Sequence, residues 1–96
     1  MTAYFIAVRN AVTDPAAMDI YGALAGKSTA GHAVTPLAFY GKTRSTDGPA
    51  TDSAVILAFP TFAEAEAWYD SPAYQDALPH RLKGGDYQTF IVQGVD

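Results

Sequence analysis

The chain has 96 residues, no cysteine and a net charge of −4, with 49% hydrophobic and 17% charged residues. This length suits a single domain, which we place over residues 1–96. The lack of cysteine excludes disulfides, thiolate catalysis and cysteine-ligated metals. The six Lys and Arg residues are scattered along the chain, so we expect no nucleic-acid partner.

The beginning of the chain, MTAYFIAVRN, has no basic region and only a short apolar stretch. No apolar run approaches the roughly 20 residues of a membrane span. We therefore expect no signal peptide, no membrane association and a cytoplasmic location. The low charge of so small a protein also predicts that part of its surface is covered by another copy of the chain.

In the first half of the chain, a strand is predicted over Ala3–Val8, which is rich in aromatic and β-branched residues. A helix follows, with Asp14 as its N-cap and Gly31 as its stop. A second strand is predicted over Val34–Tyr40. Pro36 places that strand at an edge of the sheet, because proline has no N–H to donate to a neighbouring strand.

In the second half, the polar segment Gly41–Asp52 predicts a long turn. The third strand is predicted over Ala54–Phe59. The last strand is predicted over Tyr87–Val92, after a break at Gly84 and Gly85. The chain thus reads strand, helix, strand, strand, helix, short helix, strand.

The segment Phe59–Gln75, FPTFAEAEAWYDSPAYQ, specifies the second helical region in detail. Thr61 and Glu64 have the spacing of a capping box. Asp70–Pro72 ends that helix and caps the next, with proline in the first turn, where its missing N–H costs nothing. Pro79 is expected to interrupt the short helix and fray its end.

This order predicts an α+β fold, the ferredoxin-like βαββαβ plait with an antiparallel four-stranded sheet. In the first strand, Tyr4, Ile6 and Val8 point one way and Phe5 and Ala7 the other, so both faces are apolar. The chain has helices for one face only. We therefore expect the open faces of two copies to pack together in a homodimer.

The phrases AFPTFAEAEAWYDSPAYQ, TDPAAMDIYG and FIVQGV together resemble the domain-of-unknown-function family 1330. The resemblance implies membership of the dimeric α/β-barrel group of ferredoxin-like folds. That group includes heme-degrading and cofactor-independent monooxygenases, isomerases and dye-decolourising peroxidases, so the fold does not fix the function. The family usually has arginine at the position occupied here by Gly22.

His80 and Arg81 are the candidate catalytic residues. His80 can act as a general base near neutral pH and Arg81 can hold an anion. Neighbouring residues point to different sides of a helix, but a frayed helix end would let the two side chains converge. The alternative is a solvated helix end, where both cationic side chains interact favourably with the negative end of the helix dipole.

The candidate ligand-binding residues form an aromatic group with one amide: Asn10, Tyr21, Trp68, Tyr69 and Tyr74. An aromatic pocket between helices and sheet would orient a small ligand through phenol hydroxyls. The alternative for the aromatic residues is ordinary core packing, and for Asn10 a turn.

Two functional classes stay open at this point. The first is a small-molecule site between sheet and helices, belonging to a metal-free, cofactor-independent enzyme that acts on a small anionic or aromatic ligand. The second is a non-catalytic dimeric binding or structural protein. No histidine or carboxylate spacing suits a metal, so we expect neither metal nor cofactor.

Overall fold

The computed structural model describes residues 1–96. Four strands and three helices follow one another as β1 (Ala3–Val12), α1 (Pro15–Ser28), β2 (Thr35–Phe39), β3 (Ser53–Phe59), α2 (Phe62–Tyr69), α3 (Pro72–Gly84) and β4 (Gly85–Gln93).

The four strands form one antiparallel sheet in the order β2-β3-β1-β4. This order and the three helices confirm the predicted ferredoxin-like plait. β2 lies at the edge, as Pro36 predicts, and the register between β2 and β3 shifts just after this proline. The long central strand β1 pairs with both β3 and β4.

The predicted helix starts are confirmed, one of them in part. The Asp14 side chain accepts a hydrogen bond from the N–H three residues on. The Thr61 hydroxyl accepts from the N–H of Glu64 at 3.1 Å, whereas the return bond of a full capping box is not formed. The Ser71 hydroxyl accepts from the N–H of Tyr74 at 3.3 Å, so a new helix begins immediately after α2.

Two strands are longer than the sequence predicts. β1 continues past Val8 to Val12, and β4 begins at Gly85 and not at Tyr87. The two extensions pair with each other, with a bulge between Arg9 and Ala11. Pairing between distant segments, which local pattern does not reveal, stabilises these additional residues.

The prediction of a frayed short helix around Pro79 is wrong. α3 is the continuous helix Pro72–Gly84 and contains Pro79 in its interior. The inward side of the helix buries Tyr74, Ala77 and Arg81. This packing offsets the backbone hydrogen bond that the proline removes.

α1 packs chiefly against α3 and not against the sheet. The carbonyl of Gly84 accepts hydrogen bonds from the N–H groups of Thr13 and Asp14, at 2.8 and 3.1 Å. A Cβ at Gly84 would lie only 2.8 Å from the Met18 side chain. Glycine is therefore required where the end of α3 meets the first turns of α1.

The core lies between the sheet and α2–α3 and is largely aromatic. Phe5 of β1 meets Trp68 of α2 edge to face, at 5.1 Å between ring centroids. The indole N–H of Trp68 donates to the Ser28 hydroxyl at 3.1 Å, and that hydroxyl donates to the carbonyl of Ala25. These bonds satisfy the indole N–H of Trp68 and the hydroxyl proton of Ser28.

The opposite face of the sheet carries no helix and is apolar, as the alternation in β1 predicts. One row of paired residues crosses all four strands, namely Ala38, Ile56, Ile6 and Phe90. Phe90 is 43% exposed in the single chain.

None of the three helices has the length and hydrophobicity needed to cross a membrane.

Candidate functional site

A cavity of about 460 Å³ lies between α1 and the helix-facing side of the sheet. It exists because α1 leans on α3 and leaves part of the sheet uncovered. Its floor consists of apolar side chains from the two central strands, among them Phe5, Val55 and Leu57. The edge strand contributes Pro36 and Phe39.

Three of the α1 residues that line the cavity are small. Gly22, Ala25 and Gly26 line it, and a Cβ built on either glycine meets no atom within 4 Å. These glycines weaken the helix by up to roughly 1 kcal/mol each relative to alanine. Their small size keeps the volume beneath the helix open.

Two tyrosine pairs form the polar side of the cavity. The hydroxyls of Tyr21 and Tyr74 lie 2.9 Å apart, and those of Tyr40 and Tyr87 lie 2.6 Å apart. Tyr21 and Tyr40 line the cavity, whereas their partners lie outside its lining. Each pair therefore links the cavity wall to an element outside its lining, α3 in one case and the edge strand β4 in the other.

Burial keeps three of these phenols protonated. It raises the pKa of Tyr21 far above its ordinary value, and the neighbouring Tyr74 adds to this shift. Burial also raises the pKa of Tyr74, although the hydrogen bond with Tyr21 and the charge of Arg81 oppose it. The pKa of Tyr40 rises through burial and through its hydrogen bond with Tyr87. At neutral pH these hydroxyls are hydrogen-bond donors and not anions.

Arg9 lies at the mouth of the cavity, and its charge is already neutralised. Its Nε donates to the Asp52 carboxylate at 2.6 Å, and its guanidinium lies 4.2 Å from the centroid of the Tyr40 ring. Partial burial acts to lower the pKa of Arg9, but its hydrogen bonds with Asp52 and Tyr87 outweigh this and raise it.

Tyr40 has the one non-glycine backbone in the left-handed region, with φ of 52°. This conformation costs a tyrosine roughly 1–2 kcal/mol. Its N–H donates to the carbonyl of Ala54 at 2.8 Å. That bond, the stacked Arg9 and the bond to Tyr87 hold the ring against the cavity.

Arg81 is buried beside the tyrosine pairs. Its guanidinium lies 5.2 Å from the centroid of the Tyr87 ring, and its Nε is the one buried side-chain polar atom without a hydrogen-bond partner.

The structure brings together only some of the predicted ligand-binding residues. Tyr21 and Trp68 line the cavity, and Tyr74 stands directly behind Tyr21. Tyr69 instead lines a separate cleft next to β4. Asn10 is exposed at the bulge of β1 and lines no cavity. Trp68 is also part of the core, so packing and cavity lining coincide in this residue.

The predicted convergence of His80 with Arg81 is not formed. Because α3 stays helical here, Arg81 faces inward while His80 is half-buried, with no hydrogen bond and no cavity beside it. No group of three or more histidine, aspartate or glutamate side chains comes together in the chain.

Sequence reasoning missed Arg9, Tyr40 and Tyr87. The predicted strands place Arg9 just after the first strand, Tyr40 at the end of the second and Tyr87 at the start of the fourth. The cross-strand pairing of Arg9 with Tyr87 could have indicated this site. It becomes visible only when β1 and β4 are extended beyond their predicted ends.

Comparison with known proteins assigns a family and a fold. A family model described as a domain of unknown function, DUF1330, matches residues 2–95. A crystal structure of RPA0582, a protein of unknown function from Rhodopseudomonas palustris, is similar with a TM-score of 0.73 and 18% identity, covering 99% of this chain and 83% of that one. The structure of methylated RPA0582 has the same TM-score and identity, with 99% and 82% coverage. No curated protein matches the chain.

The raised tyrosine pKa values predict the behaviour of the protein in alkali. Three of the six tyrosines keep their protons in the folded state above the ordinary pKa of about 10. The unfolded chain releases these protons first, so stability is full below about pH 10 and falls as the pH rises further. Tyrosinate absorbance should show no more than three reversible ionisations. Four or more, with the circular dichroism of the folded protein intact, would contradict the buried pairs.

Proposed function

The chain belongs to the DUF1330 family, and we propose that it binds a small, largely apolar molecule in the cavity beneath α1. The observation that carries this proposal is the cavity itself, with its volume of about 460 Å³. Small-molecule sites typically measure about 300–1,000 Å³ and combine apolar walls with a few polar groups.

The composition of the walls supports a flat and mainly apolar ligand. The floor offers the Phe5 ring and the Leu57 side chain, and Trp68 adds a further aromatic surface. Besides Trp68, whose indole N–H is bonded to Ser28, the lining residues with polar side-chain atoms are Arg9, Asp19, Tyr21, Thr29 and Tyr40. Such walls favour an aromatic or branched hydrocarbon body with one polar substituent.

The geometry of the cavity favours ligand binding over catalysis. His80, the candidate general base, does not line the cavity, and Asp19 is exposed at its rim. A purely structural protein would fill this space with its own side chains, whereas two of the residues that line it here are glycines. The cytoplasmic location and the absence of a nucleic-acid partner stay predictions from composition.

We further propose that the protein is a homodimer that pairs through the open face of the sheet. The apolar row Ala38, Ile56, Ile6 and Phe90 runs across this face. Val92 and Tyr4 add a second pair beside it. Contiguous apolar patches of this kind are rare on monomers, and a twofold axis would cover both copies at once.

Filling the cavity should abolish ligand binding without harming the fold. Gly22→Leu adds a side chain at a position that lines the cavity, where a Cβ meets nothing within 4 Å. Replacing glycine in a helix should raise the free energy of unfolding by up to about 1 kcal/mol. Indole, a neutral aromatic probe, should stabilise the parent protein against heat, and Gly22→Leu should weaken its affinity at least about tenfold.

The matched control is Ala23→Leu, which adds similar bulk to the exposed side of the same helix. This variant should bind indole like the parent. Equal indole binding by Gly22→Leu and the parent, or no binding of indole by the parent, would reject the proposed site.

A charge on the open face should separate the dimer. Light scattering should give about twice 10.2 kDa for the parent. Phe90→Asp should give a folded monomer, because Phe90 is exposed in the single chain while an unpaired charge buried in an interface is costly.

Leu82→Asp is the control, since Leu82 is 67% exposed on α3, away from the sheet. It should leave the dimer intact. A parent protein that is monomeric at micromolar concentration, or a dimer broken by Leu82→Asp and not by Phe90→Asp, would refute pairing through the sheet.

A further inference from the structure

Arg81 carries a positive charge that no side chain of the protein neutralises. It is 4% exposed, its Nε has no partner, and both ion pairs of the chain involve other residues. The ring of Tyr87 compensates part of the charge by a cation–π contact. Buried charges in proteins are otherwise paired with opposite charges, so this arginine points to an anion supplied from outside the chain.

The groups around Arg81 are neutral hydrogen-bond donors, so they cannot serve as the anion that neutralises its charge. Its charge acts on the hydroxyls of both Tyr21 and Tyr74. Because burial raises the pKa of both phenols, neither is ionised at neutral pH. The charge of Arg9, in turn, is already taken by Asp52.

The hydroxyl protons of Tyr21 and Tyr74 leave one donor free. The pair holds two protons but makes one hydrogen bond, at 2.9 Å. If Tyr21 donated, the second proton would sit on Tyr74, which is fully buried with no other acceptor. An unsatisfied buried donor costs about 1–3 kcal/mol. Donation from Tyr74 is therefore favoured, and it leaves the O–H of Tyr21, at the cavity wall, free for a ligand.

In the pair of Tyr40 and Tyr87, both hydroxyl protons find acceptors within the protein. The hydroxyl of Tyr87 lies 3.9 Å from the sulfur of Met18, which is a weak acceptor. Tyr40 can therefore donate to Tyr87 while Tyr87 donates to Met18. This pair therefore requires no ligand. The hydroxyl proton of Tyr21 has no acceptor within the protein, so Tyr21 is the residue left to bind one.

We propose that the cavity binds a singly charged carboxylate on a small planar apolar body, with the Tyr21 hydroxyl donating to the carboxylate and Arg81 supplying the positive charge behind it. A single charge matches the single uncompensated cation in these apolar surroundings. This inference rests on the proposed function, because it names the class of ligand for the same cavity.

The test compares two probes of nearly the same shape, benzoate and benzamide, by calorimetry at pH 7. Benzamide lacks the charge, and its amino group would face donors. Hydrogen bonds to charged groups are about twice as strong as those between neutral groups, so the parent should bind benzoate at least about tenfold more tightly than benzamide. Tyr21→Phe should reduce this ratio to about threefold or less.

Arg81→Met and Tyr4→Phe complete the set. Arg81→Met removes the desolvation cost of a buried charge and keeps a side chain of similar length, so it should keep its urea midpoint while losing the benzoate preference. If Arg81 had only a structural role, Arg81→Met would lower the urea midpoint and leave the benzoate preference unchanged. Tyr4→Phe removes a hydroxyl on the opposite face of the sheet and should preserve the ratio.

The outcomes separate this inference from the proposed function. Equal affinities of the parent for the two probes, or an unchanged ratio in Tyr21→Phe, would overturn the carboxylate site alone if indole still binds. Failure of the parent to bind indole would overturn the cavity proposal, and the carboxylate site with it.

Discussion

The close approach of α1 to α3 at Met18 and Gly84 is the constraint on which the rest of the structure depends. No side chain fits between the end of α3 and Met18, and the Gly84 carbonyl binds the chain that enters α1. α1 is thereby tied to its neighbouring helix and not to the sheet. The uncovered strip of sheet then becomes the floor of a cavity, and the small residues Gly22 and Gly26 keep that cavity from being filled.

The same arrangement gives the cavity an unusual polar side. α3 carries both Tyr74 and Arg81 on its buried side, and α1 brings Tyr21 against them. The result is a wall of neutral donors backed by a cation. Such a wall cannot accept a proton from a ligand at neutral pH, but it stabilises a negative oxygen. The molecule therefore joins an aromatic core to a buried cation whose Nε has no hydrogen-bond partner, and the proposed ligand answers only the second.

Local sequence patterns predicted the architecture well and the site poorly. The caps at Asp14, Thr61 and Ser71 depend on residues three positions apart, and the two-sided apolar pattern depends on alternation within one strand. The tyrosine pairs join residues 53 and 47 positions apart, which no local pattern reveals. The prediction of a break at Pro79 was wrong because tertiary packing, and not helix propensity, decides whether α3 is continuous. The burial of Arg81 and the separation of His80 from it follow from that continuity.

A crystal structure of the unliganded protein under xenon pressure tests the open cavity most directly, because xenon enters apolar cavities that water does not fill. We expect xenon between α1 and β3, in contact with Ala25 and Leu57, with the Tyr21 and Tyr74 hydroxyls still paired. An α1 helix that lies on the sheet, with Ala25 packed against Leu57 and no xenon between them, would contradict the cavity and every function assigned to it.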